Sequence, residues 1–123
     1  MSVNIDVLKS KYPLEYLPNN TLEALADIAV TTEHNMGDVL FDIGDNDDVT
    51  VFLIRGAVFL EACDGRTASI NQDHDSAKFS LSKLKPRQYT ARAIQNGTRL
   101  LRIKSEMLEH FSFAWNRYPP LSG

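Results

Sequence analysis

The sequence predicts a mainly β domain: an antiparallel β-roll (a jelly-roll-like double-stranded β-helix), with helices before it and one after it. Two observations carry this. Gly37-Asp38, Gly44-Asp45, Gly56, Asp64-Gly65 and Asn96-Gly97 fall at short intervals between runs rich in Val, Ile, Phe, Thr and Leu, which is how short strands are punctuated. The first 30 residues lack that punctuation and carry helical spacing instead. At 123 residues the chain suits one domain. The expected division is N-terminal helices over 1–30, the roll over 31–104 and a closing helix over 105–116.

Residues 4–11 predict a short helix, ended by Pro13 and Pro18. Asn20 and Glu23 have capping-box spacing, and Leu22, Leu25, Ala26 and Ile28/Ala29 recur on one helical face. In the roll, Phe41, Phe52, Ile54 and Val58 are expected on a buried inner face. Asn96-Gly97, between 88–95 and 98–103, is the strongest hairpin signal, because both residues tolerate positive φ. Asp64-Gly65 is nearly as strong. Ser105 is the expected N-cap of the last helix, with Glu106 in its first turn. There Phe111 and Trp115 share a face, while Phe113 and Tyr118 are left to a lid, a second subunit or an effector domain.

Composition excludes several classes. Hydrophobic residues are 43% and charged residues 24%, which is globular. No apolar run approaches a membrane span, and Met1–Asp6 has no secretory character. With Cys63 alone there is no disulfide framework, so a cytoplasmic setting without membrane association is expected. The net charge of −3 hides an asymmetry. Residues 1–75 carry 4 basic and 14 acidic side chains, whereas 76–105 carry 8 basic ones (Lys78, Lys83, Lys85, Arg87, Arg92, Arg99, Arg102, Lys104) and no acidic one. The basic stretch faces either a ligand anion or the acidic half of its own fold. The second is expected for most of the eight.

Five segments, in order, resemble the cyclic nucleotide-binding domains of catabolite activator proteins and protein kinase A regulatory subunits. They are Leu14-Glu-Tyr-Leu-Pro with Leu22–Ala29, Met36-Gly-Asp-Val-Leu-Phe-Asp-Ile-Gly-Asp45, Val51–Leu60, Pro86–Ala93, and Arg99–Ile103 with its helix. The resemblance implies a regulatory module, not an enzyme, with cyclic AMP or cyclic GMP as the possible ligand and no cofactor. It implies a phosphate-binding cassette that reads F-G-E-L-A-L and, four or five residues on, P-R-A-A-T-V. Arg87 stands at the arginine that grips the cyclic phosphate, followed by Gln88, and Thr90 matches the threonine. Ser76, Ala77 and Lys78 then fall at F-G-E. Lys78 replaces the glutamate that takes the ribose hydroxyl, and a lysine has no acceptor. Ala77 places a Cβ where glycine allows close approach. Ser80 or Ser82 lines the anion site if the register slips.

Two expectations follow: a small-anion sensor built on Arg87, or a degenerate domain that serves interaction or dimerisation through its last helix. Arg87 paired with a first-half acid is the alternative for that residue. No basic recognition helix is present and the pI is about 5.5, so direct nucleic-acid binding is not expected. Asp42, Asp45, Asp47 and Asp48 read as a solvated turn, because the twelfth position of a calcium loop begun at Asp42 is Leu53. His34, His74 and His110 have no metal-ligand spacing, and Cys63 has no histidine beside it.

Overall fold

The computed structural model describes residues 3–12, 14–81 and 85–111, the side chains of 109–111 aside. Helix α1 (Ile5–Lys9) starts at Asn4, whose Oδ1 accepts the Asp6 amide at 2.8 Å. A 3-10 turn at Leu14–Tyr16 leads to α2 (Asn19–Ile28). The capping box expected at Asn20 does not form. Pro18 holds the N-cap position without a side-chain bond, and Asn20 Oδ1 takes the neighbouring Thr21 amide. Leu17 and Leu22 flank the cap and are buried in one core, at the positions of a hydrophobic staple. Burying two leucines is worth about 1.5–3 kcal/mol each, against about 1 kcal/mol for a cap, so the staple sets where the helix begins.

Seven strands are described: β1 (Val30–His34), β2 (Val39–Phe41), β3 (Val49–Arg55), β4 (Ala57–Ala62), β5 (Thr67–Asn71), β6 (Tyr89–Ala93) and β7 (Thr98–Lys104). They form two antiparallel sheets, ordered β1-β7-β3 and β2-β6-β4-β5. This is the β-roll that the sequence predicts. Asp64-Gly65 closes the β4–β5 hairpin, with Glu61 opposite Thr67.

Asn96-Gly97 does not join paired strands, contrary to expectation, because β6 and β7 belong to different sheets. The Gly97 amide donates to the His34 carbonyl at 3.0 Å, and Asn96 Oδ1 accepts the Met36 amide at 2.8 Å. The turn thus carries the chain from one sheet to the other. Local chemistry permits the φ values, but burial decides which strand each partner pairs with. Gly56 makes the corresponding crossing from β3 to β4 at φ +92°, where a Cβ would lie 2.5 Å from Thr98 Oγ1.

The strands serve two cores. Val51, Leu53, Leu100, Val58, Leu60 and Phe41 pack between the sheets. Phe52, Leu101 and Ile103 turn the other way, against Leu8, Leu14, Leu22 and Leu25 of the helices, with Ile54 packed beside them. The four residues expected on one inner face are therefore divided. Successive strand residues point to opposite faces, and the three-stranded sheet is covered on both. Helix α3 (Ser105–Phe111) follows β7 directly, and the Ser105 hydroxyl bonds Thr50 Oγ1 at 2.8 Å. Trp115, Phe113 and Tyr118, and the side chain of Phe111, lie outside the described residues.

Candidate functional site

Arg87 lies just before β6 and is only 2% exposed. Its Nε donates to Asp47 Oδ2 at 2.9 Å and its Nη2 to Asp47 Oδ1 at 2.9 Å, a bidentate pair. Nη2 also donates to the Val49 carbonyl at 2.8 Å, and Nη1 to the Leu81 carbonyl at 3.1 Å. The guanidinium carbon sits 4.0 Å from the centroid of the Phe41 ring, a cation–π stack. Lys85 adds a second cation, its Nζ donating to Asp47 Oδ1 at 2.9 Å and to the carbonyls of Asp47 and Val49. The Val49 amide donates to Asp47 Oδ1 as well.

Asp47 is thus the centre of a small ionic network. Partial burial pushes its carboxyl up, but the hydrogen bonds from Arg87, Lys85 and the Val49 amide, with the charge of Arg87, hold it well below the usual carboxylate range. The crevice lined by Val49, Thr50, Ser80, Leu81, Lys85 and Arg87 has a volume of about 10 Å³. That is about the space of one water molecule.

The remaining sequence-derived candidates disperse around this centre. Ser80 lines the crevice with Arg87. Ala77 is 3% exposed and packs into the core between the sheets. Lys78 points to the N-terminal helices, pairing with Glu15 at 3.1 Å. Thr90 Oγ1 donates to Asp42 Oδ1 at 3.3 Å and accepts the Ile43 amide. Gln88 is exposed and its Nε2 donates to the Pro86 carbonyl. Ser82 lies outside the described residues.

Of the eight basic side chains of 76–105, Lys78, Lys85, Arg87 and Arg99 form ion pairs, with Glu15, Asp47 and Glu33. Every one of those acids comes from the first 75 residues.

Two participants escaped the sequence. Asp47 reads there as one of four aspartates in a solvated turn, and no spacing separates it from Asp42, Asp45 or Asp48. The structure corrects that, since its carboxylate is held by two cations. Lys11 is the second. Only 6% exposed, it donates from Nζ to the Leu53 carbonyl at 2.6 Å and to the Ala77 carbonyl at 2.9 Å, and burial lowers its pKa. It ties the N-terminal helices to the 3-10 turn at Asp75–Lys78. Among the described residues no group of His, Cys, Asp and Glu could hold a metal ion, and no helix is long and apolar enough to cross a membrane.

Comparison with solved structures decides the architecture. The chain has the fold of cyclic nucleotide-binding regulatory domains. It superposes on the sensor domain of the transcriptional regulator DNR from Pseudomonas aeruginosa with a TM-score of 0.71 at 17% identity, covering 87% of this chain and 78% of that one. Against the regulatory subunit of a cAMP-independent protein kinase A from Trypanosoma brucei the TM-score is 0.75 at 12% identity, covering 92% and 42%. Against the regulatory domain of Toxoplasma gondii protein kinase A, crystallised with cAMP, it is 0.67 at 15% identity, covering 89% and 44%. The chain thus spans less than half the length of either of these two protein kinase A chains. No protein-family model matches the sequence, and no curated protein matches it.

Proposed function

We propose that this chain is a non-catalytic regulatory module, a single domain over 1–123, that works through its surfaces without cyclic nucleotide as its working ligand. The observation that carries this reading is the engagement of Arg87. In the cassette that the sequence resembles, this arginine grips a phosphate; here its Nε and Nη2 both lie on Asp47, and two backbone carbonyls take further donors. Lys78, at the position of the ribose-binding glutamate, pairs instead with Glu15. The regulatory subunit of a cAMP-independent protein kinase A from Trypanosoma brucei has the same fold, so the architecture is compatible with such a role. The partner on this reading is another protein, or a second copy, met through the last helix, in the cytoplasm.

A small-anion sensor is the second reading. Among the described residues Lys85 and Arg87 both pair with Asp47, at a crevice that Thr50 and Ser80 also line. Thermal-shift and calorimetric titration with cyclic AMP and cyclic GMP separates the two. A ligand at 100 times its Kd would stabilise the fold by about 2.7 kcal/mol, so absence of any shift at millimolar nucleotide is the expected result. A saturable shift that Arg87→Lys removes would replace the first reading by the second.

A further inference from the structure

A second cleft, which meets the Asp47–Arg87 network at Val49, has a volume of about 440 Å³ and is lined by Ile28, Val30, Val49, Met107, Arg102 and Lys104. That size falls within the range of small-molecule sites, about 300–1,000 Å³. The register explains its composition. Val30 and Val51 flank Arg102 across β7, and Val49 faces Lys104. Arg102 and Lys104 follow Leu100 at steps of two, so they continue the inner face of β7 past the point where the core between the sheets ends.

Arg102 is half-buried, and its pKa is lowered by desolvation and then by the like charge of Arg87, with the Asp47 charge opposing. Its Nε donates to Thr32 Oγ1 at 3.2 Å. Among the described residues no carboxylate lies within ion-pair distance of it, nor of Lys104. A desolvated guanidinium at the edge of an apolar cleft is complementary to an anion with an apolar body.

We propose that this cleft binds a medium-chain acyl carboxylate, its chain against Ile28, Val30, Val49 and Met107 and its carboxylate on Arg102 and Lys104. The proposal does not rest on the proposed function, since neither Arg87 nor Asp47 lines this cleft, although Val49 borders both.

The probe is decanoate, below its micelle concentration, titrated into the full chain by calorimetry and by amide and methyl NMR, with decanol as the uncharged control. The expected result is saturable 1:1 binding with shifts centred on Val30, Val49, Arg102 and Met107. Decanol and the R102Q variant should each bind at least tenfold more weakly. Val30→Glu, at a position 54% exposed and therefore tolerant, should abolish decanoate binding with the melting temperature kept. Three outcomes would overturn the proposal: no saturable binding, equal affinity for decanol, or contacts from residues 112–123 to Val30 and Met107 in the ligand-free chain. The last would mean that the chain's own end fills the cleft.

Discussion

Arg87 and Asp47, forty residues apart in the chain, meet as a bidentate pair with both N···O distances at 2.9 Å. Each is held from another side, Arg87 by Phe41 and two carbonyls, Asp47 by Lys85 and the Val49 amide. The pair therefore joins the loop before β3 to the entry of β6, which belongs to the other sheet.

Breaking a buried ion pair at one partner costs about 3–5 kcal/mol. The Asp47 side chain is 31% exposed, so water relieves part of that cost. Asp47→Asn should destabilise the fold by about 2–4 kcal/mol in urea unfolding. With Arg87→Met it should show a coupling energy above about 1 kcal/mol in a double-mutant cycle. Simple additivity would mean that the pair contributes nothing beyond its separate packing.

The same carboxyl sets an acid response. Its folded pKa lies below the ordinary value near 3.8. Its contribution is therefore complete above that value and is lost as pH falls from there toward the lower folded pKa. The stability difference between the native chain and Asp47→Asn should be flat from pH 7 to about 5 and shrink below about 4. Urea midpoints across pH 2–7 measure it; a difference that persists unchanged at pH 2 would assign the stabilisation to something other than this ionisation.

Gly56 and Gly65 separate crowding from backbone conformation. Both have φ near +90°, at +92° and +91°. A Cβ at Gly56 meets Thr98 Oγ1 at 2.5 Å and Thr98 Cα at 2.8 Å, whereas one at Gly65 meets nothing within 4 Å. Gly65→Ala should cost about 1–2 kcal/mol, the conformational penalty alone. Gly56→Ala should cost at least about 2 kcal/mol more, because a backbone atom has to move. Equal melting temperatures for the two variants would show that the crossing into β4 yields without strain.

Lys11→Met removes the ammonium that holds the carbonyls of Leu53 and Ala77. Two buried acceptors lose their donor while a desolvated charge is relieved, so a net loss of about 1–3 kcal/mol is expected. Hydrogen exchange at the Tyr12 amide, which donates to the Lys78 carbonyl at 2.9 Å, should accelerate more than exchange within β7. Uniform acceleration would show that Lys11 supports the whole fold and not this one junction.

The sequence by itself determined the architecture and most of its boundaries. The five glycine turns at positive φ, the strands between them and the leucine spacing of α2 are local properties, and each reappears at its predicted place, although the face that each strand residue takes does not. Pairings across the chain are different. Asn96-Gly97 has the chemistry of a hairpin, yet it links two sheets, because the choice of partner depends on which faces must be buried together. The capping spacing at Asn20 likewise gives way to the staple of Leu17 and Leu22.

At the site, Arg87 was legible as a candidate from its Pro-Arg context, and its pairing with an acid of the first half was one of the two expectations. Which acid it would be was not. Asp42, Asp45, Asp47 and Asp48 are chemically alike, and only the closure of the roll brings one of them within 2.9 Å of a buried guanidinium. Charge balance is set by composition, but the partner of each charge is set by distance. In this chain distance is a property of the packed sheets.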